Sequence, residues 1–407
     1  MEILKTKQVK KFAFYGFFKN LRFFEPYLLI YFIENNLSFF QIGLLFSIRE
    51  VVIYLFEVPS GVIADYYGKK NELMMCFIFY IISFIMFFVD THFWFMIIAM
   101  IFFGLGEAFR SGTHKSMIYE FLEKKDLYHL KSRVYGFTRS YSKIGSSISS
   151  FASIIIVLNI EHYKTIFIFS IIPYILDFLL IKSYPNYFNN RETDEISFKI
   201  FYELIKKQIK SIFKNLKLKD TIFNSAIYNG VFTMIKDYIQ PVIVMLLFSI
   251  FTLKGDIESL TKIYLGLTYG FFSIGSVIVS RNSYKINEYI SAQKAFKVTF
   301  FLLSILLISL YFTIRYELIY LTLFIYFYIY VSKDLRKPQF VEICGNLMKK
   351  TERATVMSIA NQIKSSLVIL VAPVLGLISD QFGIDKMFLI LGSLILIIYL
   401  ILIKPKN

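Results

Sequence analysis

Charged side chains recur at helical spacing inside stretches that are otherwise apolar. Lys19, Arg22 and Glu25 follow one another at three-residue steps, and Glu50, Tyr54 and Glu57 share a face with Arg49 at its edge. Glu107, Arg110, Ser111 and His114 make a third stripe, and Arg139, Ser142, Lys143 and Ser146 a fourth. Further along, Lys236, Asp237 and Gln240 stand just before Pro241, and Lys333, Asp334, Arg336 and Lys337 just before Pro338. Residues three and four apart lie on one side of a helix, so each group can act together. Such groups can hold a charged ligand. An acid beside an arginine can also exchange a proton when something else takes the arginine. Glu25 with Arg22 and Glu107 with Arg110 have that spacing, and Asp237 and Asp334 are their counterparts later in the chain.

The bland reading of any one of these residues is a buried ion pair that fixes packing. The set as a whole argues for more. Lys19, Arg22, Arg49, Arg110, Arg139, Lys143, Lys236, Lys333, Arg336, Lys337 and Lys364 face only Glu25, Glu50, Glu57, Glu107, Asp237 and Asp334. That surplus of cations predicts an electropositive cavity that accepts an anionic or zwitterionic solute. Enzyme chemistry is not expected. No G-x-x-x-x-G-K-[ST] nucleotide loop is present, and His92, His114, His129 and His162 lack ligand spacing. Cys76 and Cys344 cannot form a disulfide framework. Neither a metal nor a cofactor is expected.

The elements that position these groups follow from composition. The 407 residues are 56% hydrophobic, more than a soluble domain of this size can bury. The apolar runs give twelve spans, at roughly 11–34, 39–65, 72–90, 93–121, 134–159, 163–183, 221–252, 261–281, 291–314, 317–345, 352–379 and 384–403. Only helices satisfy the backbone in successive spans of this kind, so the expected fold is all-α. A charge at the bilayer centre costs at least about 2.5–3.5 kcal/mol, so the charged stripes must pair or face water. The basic N-terminal stretch runs straight into the first span with no cleavage site, so it reads as a membrane helix and not as a removed signal.

Lysines and arginines cluster on one set of loops. They include Lys5, Lys7, Lys10 and Lys11, then Lys69 and Lys70, then Lys124, Lys125, Lys131 and Arg133. The alternate loops carry few, so both termini are expected on the cytoplasmic side. The net charge of +16 is therefore a topological signal with contact to anionic lipid, and nucleic acid is not expected as a partner. The one long polar connection predicts three parts: a six-helix bundle over 1–183, a linker over 184–219, and a second bundle over 220–407. An amphipathic basic helix is expected in the linker, from Ile196 to Leu218.

After the second span the chain reads G-V-I-A-D-Y-Y-G-K-K, from Gly61 to Lys70. In the spacing reading, Gly61 allows close helix approach, Asp65 places an anion at a helix end, and Gly68 permits a tight turn held by Lys69 and Lys70. The pattern G-x-x-x-D-x-x-G-[RK]-[RK] resembles the signature loop of the major facilitator superfamily of secondary transporters. The resemblance covers the whole chain in topology and this loop in sequence. It implies two six-helix halves, a monomer in a bacterial cytoplasmic membrane, and alternating access to a central cavity. It also implies a drug-efflux-like branch carrying drug-like or organic compounds, driven by protons. In that family the loop aspartate holds the inner gate, which here places Asp65 against the start of span 11, near Arg353 to Met357. The sequence departs from the family in carrying Tyr66 after Asp65, R-N-S-Y-K-I-N-E after span 8, and no Gly-Pro element in span 5. Uptake or export of an anionic metabolite is the second reading. A non-transporting receptor or sensor on the same fold is the reading from another class.

Overall fold

The computed structural model describes residues 2–189, 215–250, 257–348 and 353–403. Every regular element among them is helical. In chain order these are α1 (Lys7–Phe18), α2 (Leu28–Glu34), α3 (Phe39–Tyr67), α4 (Lys69–Val89) and α5 (Phe93–Arg110). Next come α6 (Thr113–Glu123), α7 (Lys131–Leu158), α8 (Ile166–Lys182), α9 (Leu216–Ile235) and α10 (Ile239–Ile250). The last are α11 (Ile257–Tyr289), α12 (Ala292–Arg315), α13 (Ile319–Leu347), α14 (Arg353–Phe382) and α15 (Ile384–Ile403). The amphipathic helix expected over 196–218 lies mostly outside the described residues.

Ten helical segments among the described residues are long and apolar enough to cross a membrane, so the protein has an all-α, multi-pass membrane fold. The first and tenth of the twelve expected spans are not among the ten. The first is interrupted: α1 ends at Phe18, a short 3-10 turn covers Glu25–Tyr27, and α2 resumes at Leu28. The tenth is one helix, α13, but Tyr320, Tyr326, Tyr328 and Tyr330 dilute its apolar half, and Lys333, Asp334, Arg336 and Lys337 follow. Two further spans are also broken. Gly112, at φ 83°, separates α5 from α6, and a 3-10 turn at Lys236–Tyr238 separates α9 from α10. Each interruption falls at one of the charged stripes.

The chain forms two compact units. Unit 1 comprises Met1–Leu37, Leu44–Thr193 and Asp256–Ile274, and unit 2 comprises Ser38–Gly43, Asp194–Gly255 and Gly275–Asn407. In unit 1, α4 packs on α5 and α8, and α1 packs on α7. An aromatic core of Tyr80, Phe84, Phe103, Phe167 and Tyr174 fills the space between α4, α5 and α8. Tyr27 also donates a 2.8 Å hydrogen bond to the Lys262 carbonyl at the start of α11. In unit 2, α12 packs on α13 and α15, and α9 packs on α14. There Asp380 accepts hydrogen bonds from the backbone N–H groups of Phe39 and Phe40, both at 2.8 Å. A carboxylate at these first N–H groups of α3 satisfies donors that the helix itself cannot.

The turn between α3 and α4 is a single residue. Gly68 sits at φ 93°, and a Cβ there would come within 2.5 Å of the Asn189 backbone. Lys69 forms a 3.1 Å ion pair with Glu120. Lys70 is buried and donates at 2.9 Å to both the Tyr184 carbonyl and the Asn186 side chain. Lys11 donates to the Ser183 carbonyl at 2.6 Å. The chain leaving the C-terminal end of α8 is thus held by two lysines, as the exposed carbonyls and helix dipole favour. Gly61 departs from expectation. It is exposed, and a Cβ there would meet nothing within 4 Å among the described residues, so no close helix approach depends on it.

Two alanine substitutions separate these roles. Gly68→Ala is expected to lower stability by at least about 1 kcal/mol, because an L-residue resists the left-handed region. Gly61→Ala is expected to be neutral or stabilising by up to about 1 kcal/mol. Thermal unfolding of both variants in detergent checks the contrast, and equal losses would refute it.

Candidate functional site

A charged cluster lies in unit 1, where the first span is interrupted. Arg22, in that interruption, reaches Glu107 on α5 at 2.6 Å. Arg110, one turn further along α5, takes the other oxygen of the same carboxylate. Its Nε donates to the Tyr80 hydroxyl at 3.0 Å. Tyr80 is placed by α4, and its ring fits against Gly106, where a Cβ would approach it to 2.9 Å. Side-chain exposure is 21% for Arg22, 18% for Glu107 and 24% for Arg110. The group is mostly buried, with one acid set against two guanidinium groups.

Around it stand residues that the sequence did not nominate together. Lys19 lies over the Tyr15 ring at 5.0 Å, and Tyr15 stacks on His114 with ring centroids 3.7 Å apart. Asp177 on α8 is fully buried, and the Lys19 backbone N–H faces its carboxylate. Lys19 is its electrostatic partner. The signal for Asp177 was there to be read: a lone acid in an apolar span is costly enough to demand a reason. Its position in an otherwise charge-poor span set it apart from the stripes.

The other expected residues divide by location. Arg22 pairs with Glu107 and not with Glu25, because the helix that would have aligned them ends at Phe18. Glu25 is half-buried at the start of the 3-10 turn. Arg49 and Glu50 contact each other at 3.3 Å, and Arg49 lies over Phe46. Glu57 accepts a long 3.5 Å hydrogen bond from Ser111, beside the α5–α6 break. Arg139 and Lys143 are half-buried on α7, and Arg139 makes no salt bridge among the described residues. The side chain of Asp65, and those of Arg353 to Thr355 opposite it in the expected gate, lie outside the described residues.

In unit 2 the structure splits the expected set in two. Lys236 and Asp237 form a 3.3 Å pair at the α9–α10 break, and Asp237 is buried. Lys333 is exposed on α13 and lies 4.5 Å from the centre of the Phe232 ring, which packs on Tyr330. Asp334 is half-buried beside it. Arg336 points elsewhere. It is 4% exposed, sandwiched between the rings of Tyr228 and Phe296 at 4.0 and 3.8 Å. It donates to the Phe296 carbonyl, to Thr299 Oγ1, and to Asn224 Oδ1 at 2.5 Å. All three acceptors are neutral. No group of three or more histidine, cysteine or acidic residues among those described could hold a metal.

Comparison with known proteins agrees with the helical architecture. The family model described as Major Facilitator Superfamily matches residues 12–373. An uncharacterized MFS-type transporter, YxaM of Bacillus subtilis (strain 168), is 37% identical over 94 residues, which span 23% of this chain and 23% of that protein. Among solved structures, the nucleoside transporter NupG superposes with a TM-score of 0.77 at 12% identity, covering 98% of this chain and 100% of that one. A bacterial homolog to the human lysosomal transporter Spinster, in its inward-facing and unoccupied conformation, gives 0.74 at 12% identity, covering 97% and 95%. A D-xylose-proton symporter gives 0.67 at 11% identity, covering 98% and 96%.

The shared carboxylate makes a direct prediction. Glu107→Gln leaves Arg22 and Arg110 without their acid and is expected to destabilise the protein by about 3 kcal/mol, as removal of one partner from an enclosed pair does. Arg139→Gln is expected to cost less than about 0.5 kcal/mol. Denaturation midpoints of the two variants in detergent test this, and a tolerated Glu107→Gln would show that the cluster does not hold α5 in place.

Proposed function

The chain belongs to the Major Facilitator Superfamily, and we propose that it moves a small organic solute across a bacterial cytoplasmic membrane by alternating access. In this reading it is a secondary active transporter and not an enzyme. Twelve spans arranged as two six-helix halves, 1–183 and 220–407, surround a central path, with both termini cytoplasmic. The interrupted first span and the interrupted α9–α10 span carry charged groups at mid-depth, as discontinuous helices in transporters do.

The observation that carries the reading is the excess of cations at the site. Arg22 and Arg110 share one acid. A group with one net positive charge attracts an anion, so the proposed cargo is an anionic or zwitterionic organic compound. The neighbours' own cargoes differ, from nucleoside to D-xylose with a proton, and do not choose among solutes. Efflux coupled to protons is the proposed direction and energy source. The acid we assign to coupling is Asp177, since both oxygens of Glu107 are taken by guanidinium groups while Asp177 is fully buried and faces Lys19 with no guanidinium on it among the described residues.

Two switching contacts follow. Asp65 would hold the start of α14 on the cytoplasmic side, where an anion near free backbone N–H groups gains roughly 0.3–2 kcal/mol. Asp380 would hold the opposite end of α3, through the N–H groups of Phe39 and Phe40. Contacts of this size can bias two states of nearly equal energy.

Solute flux in proteoliposomes, with a panel of dyes and organic anions, tests the proposal. Outward flux is expected to rise when a pH gradient is imposed, and indifference to the gradient would remove proton coupling. Asp177→Asn is expected to abolish gradient-driven flux while exchange of solute for solute continues. Arg139→Gln and Lys333→Gln should each lower flux of the anionic solute with folded protein retained, and wild-type flux in both would overturn the charged-solute reading.

A further inference from the structure

Unit 2 contains a cavity of about 190 Å³ that the transport reading does not use. It lies where α9 and α12 begin and α13 ends. Its rim carries Lys217 on α9 and Lys297 and Gln293 on α12, all exposed. Its floor is Asn224 and Phe296, both buried. Ile343, Leu347 and Tyr399 form an apolar wall. The volume is far more than a single water needs, so the space can admit a ligand.

Its electrostatics are one-sided. Asp220 is the only acid among the described lining residues, against two lysines. Behind the floor is Arg336, whose guanidinium bonds to the Phe296 carbonyl and to Asn224 Oδ1, residues that also line the cavity. Arg336 contacts only neutral acceptors and aromatic rings among the described residues, so its positive charge is not cancelled locally. Because Arg336 takes the Asn224 oxygen, the polar atom left to Asn224 is its NH₂ group, a donor. Two lysines and an amide line one space, with a buried arginine behind its floor. That arrangement suits an anion, with an apolar wall on one side.

We propose that this cavity is a binding site for a phosphate group, that of an anionic membrane phospholipid. Lys217 and Lys297 hold the phosphate, and Tyr399 and Leu347 receive the start of the acyl chains. The placement at helix ends favours the lipid source, since headgroups lie at the level where spans begin and end. Basic pockets between spans on the cytoplasmic side have the right chemistry for such headgroups. The site does not depend on what the protein carries.

The test uses the full chain in neutral detergent, with thermal-shift titrations of short-chain phosphatidylglycerol, short-chain phosphatidylcholine and inorganic phosphate. Phosphatidylglycerol is expected to stabilise the protein saturably and phosphatidylcholine to do so much less. Lys217→Gln or Lys297→Gln should weaken that binding about fivefold each, and the double variant about 25-fold. Lys5→Gln with Lys10→Gln, two exposed lysines elsewhere, should leave it unchanged. Asp220→Asn removes the one opposing charge and should tighten binding, a gain that a misfolded variant cannot mimic. Stabilisation by inorganic phosphate matching that by phosphatidylglycerol would support the phosphate site and overturn the lipid assignment. Equal stabilisation by both lipids, or unchanged binding in the double variant, would overturn the site.

Discussion

One carboxylate governs the organisation of unit 1. Glu107 faces two guanidinium groups, Arg22 from the broken first span and Arg110 from its own helix. Neither arginine could remain among apolar residues without it, since an uncompensated enclosed charge costs several kcal/mol. The pairing also explains the break in the first span. A continuous helix would fix Arg22 by its own register. An interruption between Phe18 and Glu25 lets the side chain come from a stretch free of that register. Tyr80 then ties Arg110 to α4, so two helices and the broken first span meet around one acid.

Breaking a helix in a membrane exposes backbone groups that lipid cannot satisfy. The interruptions here recover partners in identifiable ways. Where the first span opens, the backbone N–H groups of Asn20 and Leu21 bond back to the Phe17 and Phe18 carbonyls, and Asn20 caps Gly16 with its side chain. At the α5–α6 break, Ser111 bonds back to Ala108, and Gly112 takes the positive φ that lets α6 start at once. At the α9–α10 break the 3-10 turn keeps local hydrogen bonds, and Tyr330 donates to the Lys236 carbonyl. Local polarity is conserved at each site while the helix axis is freed. Charged side chains and interrupted helices therefore belong together, since both need the same shelter from lipid.

Much of this was legible in the sequence, and the remainder was not for physical reasons. Span positions follow from length and hydropathy, so α3, α4, α12 and α15 fall close to where the apolar runs place them. The tight turn at Gly68 was legible because only glycine accepts its conformation readily. Pairing was less so. The i, i+3 rule holds for Glu107 with Arg110, on a continuous helix, and fails for Arg22 with Glu25, where the helix stops. Nothing in local spacing announces a partner 85 residues away. Lys70 shows the same limit. Its type suggested a topological signal, but its burial against Tyr184 and Asn186 is a packing role that only the fold reveals.

Unit 2 solves the problem of an enclosed arginine differently. Arg336 is more deeply buried than Arg22 or Arg110, yet its hydrogen bonds go to a carbonyl, a hydroxyl and an amide, and its faces to two rings. Guanidinium is suited to this, being weakly hydrated and planar, with donors in its plane and faces that stack. Hydrogen bonding and stacking are thereby satisfied while the charge is left in place. In unit 1 the acid pins both arginines and cancels one of their two charges. In unit 2 no acid faces the guanidinium among the described residues, and Asn224 and Phe296 stand between it and the neighbouring cavity. A lysine could not substitute, because its ammonium offers neither the planar fork nor the stacking faces. Buried arginines are thus held in two ways: in unit 1 two share one acid that joins the first span to α5, and in unit 2 one is held by neutral acceptors alone among the described residues.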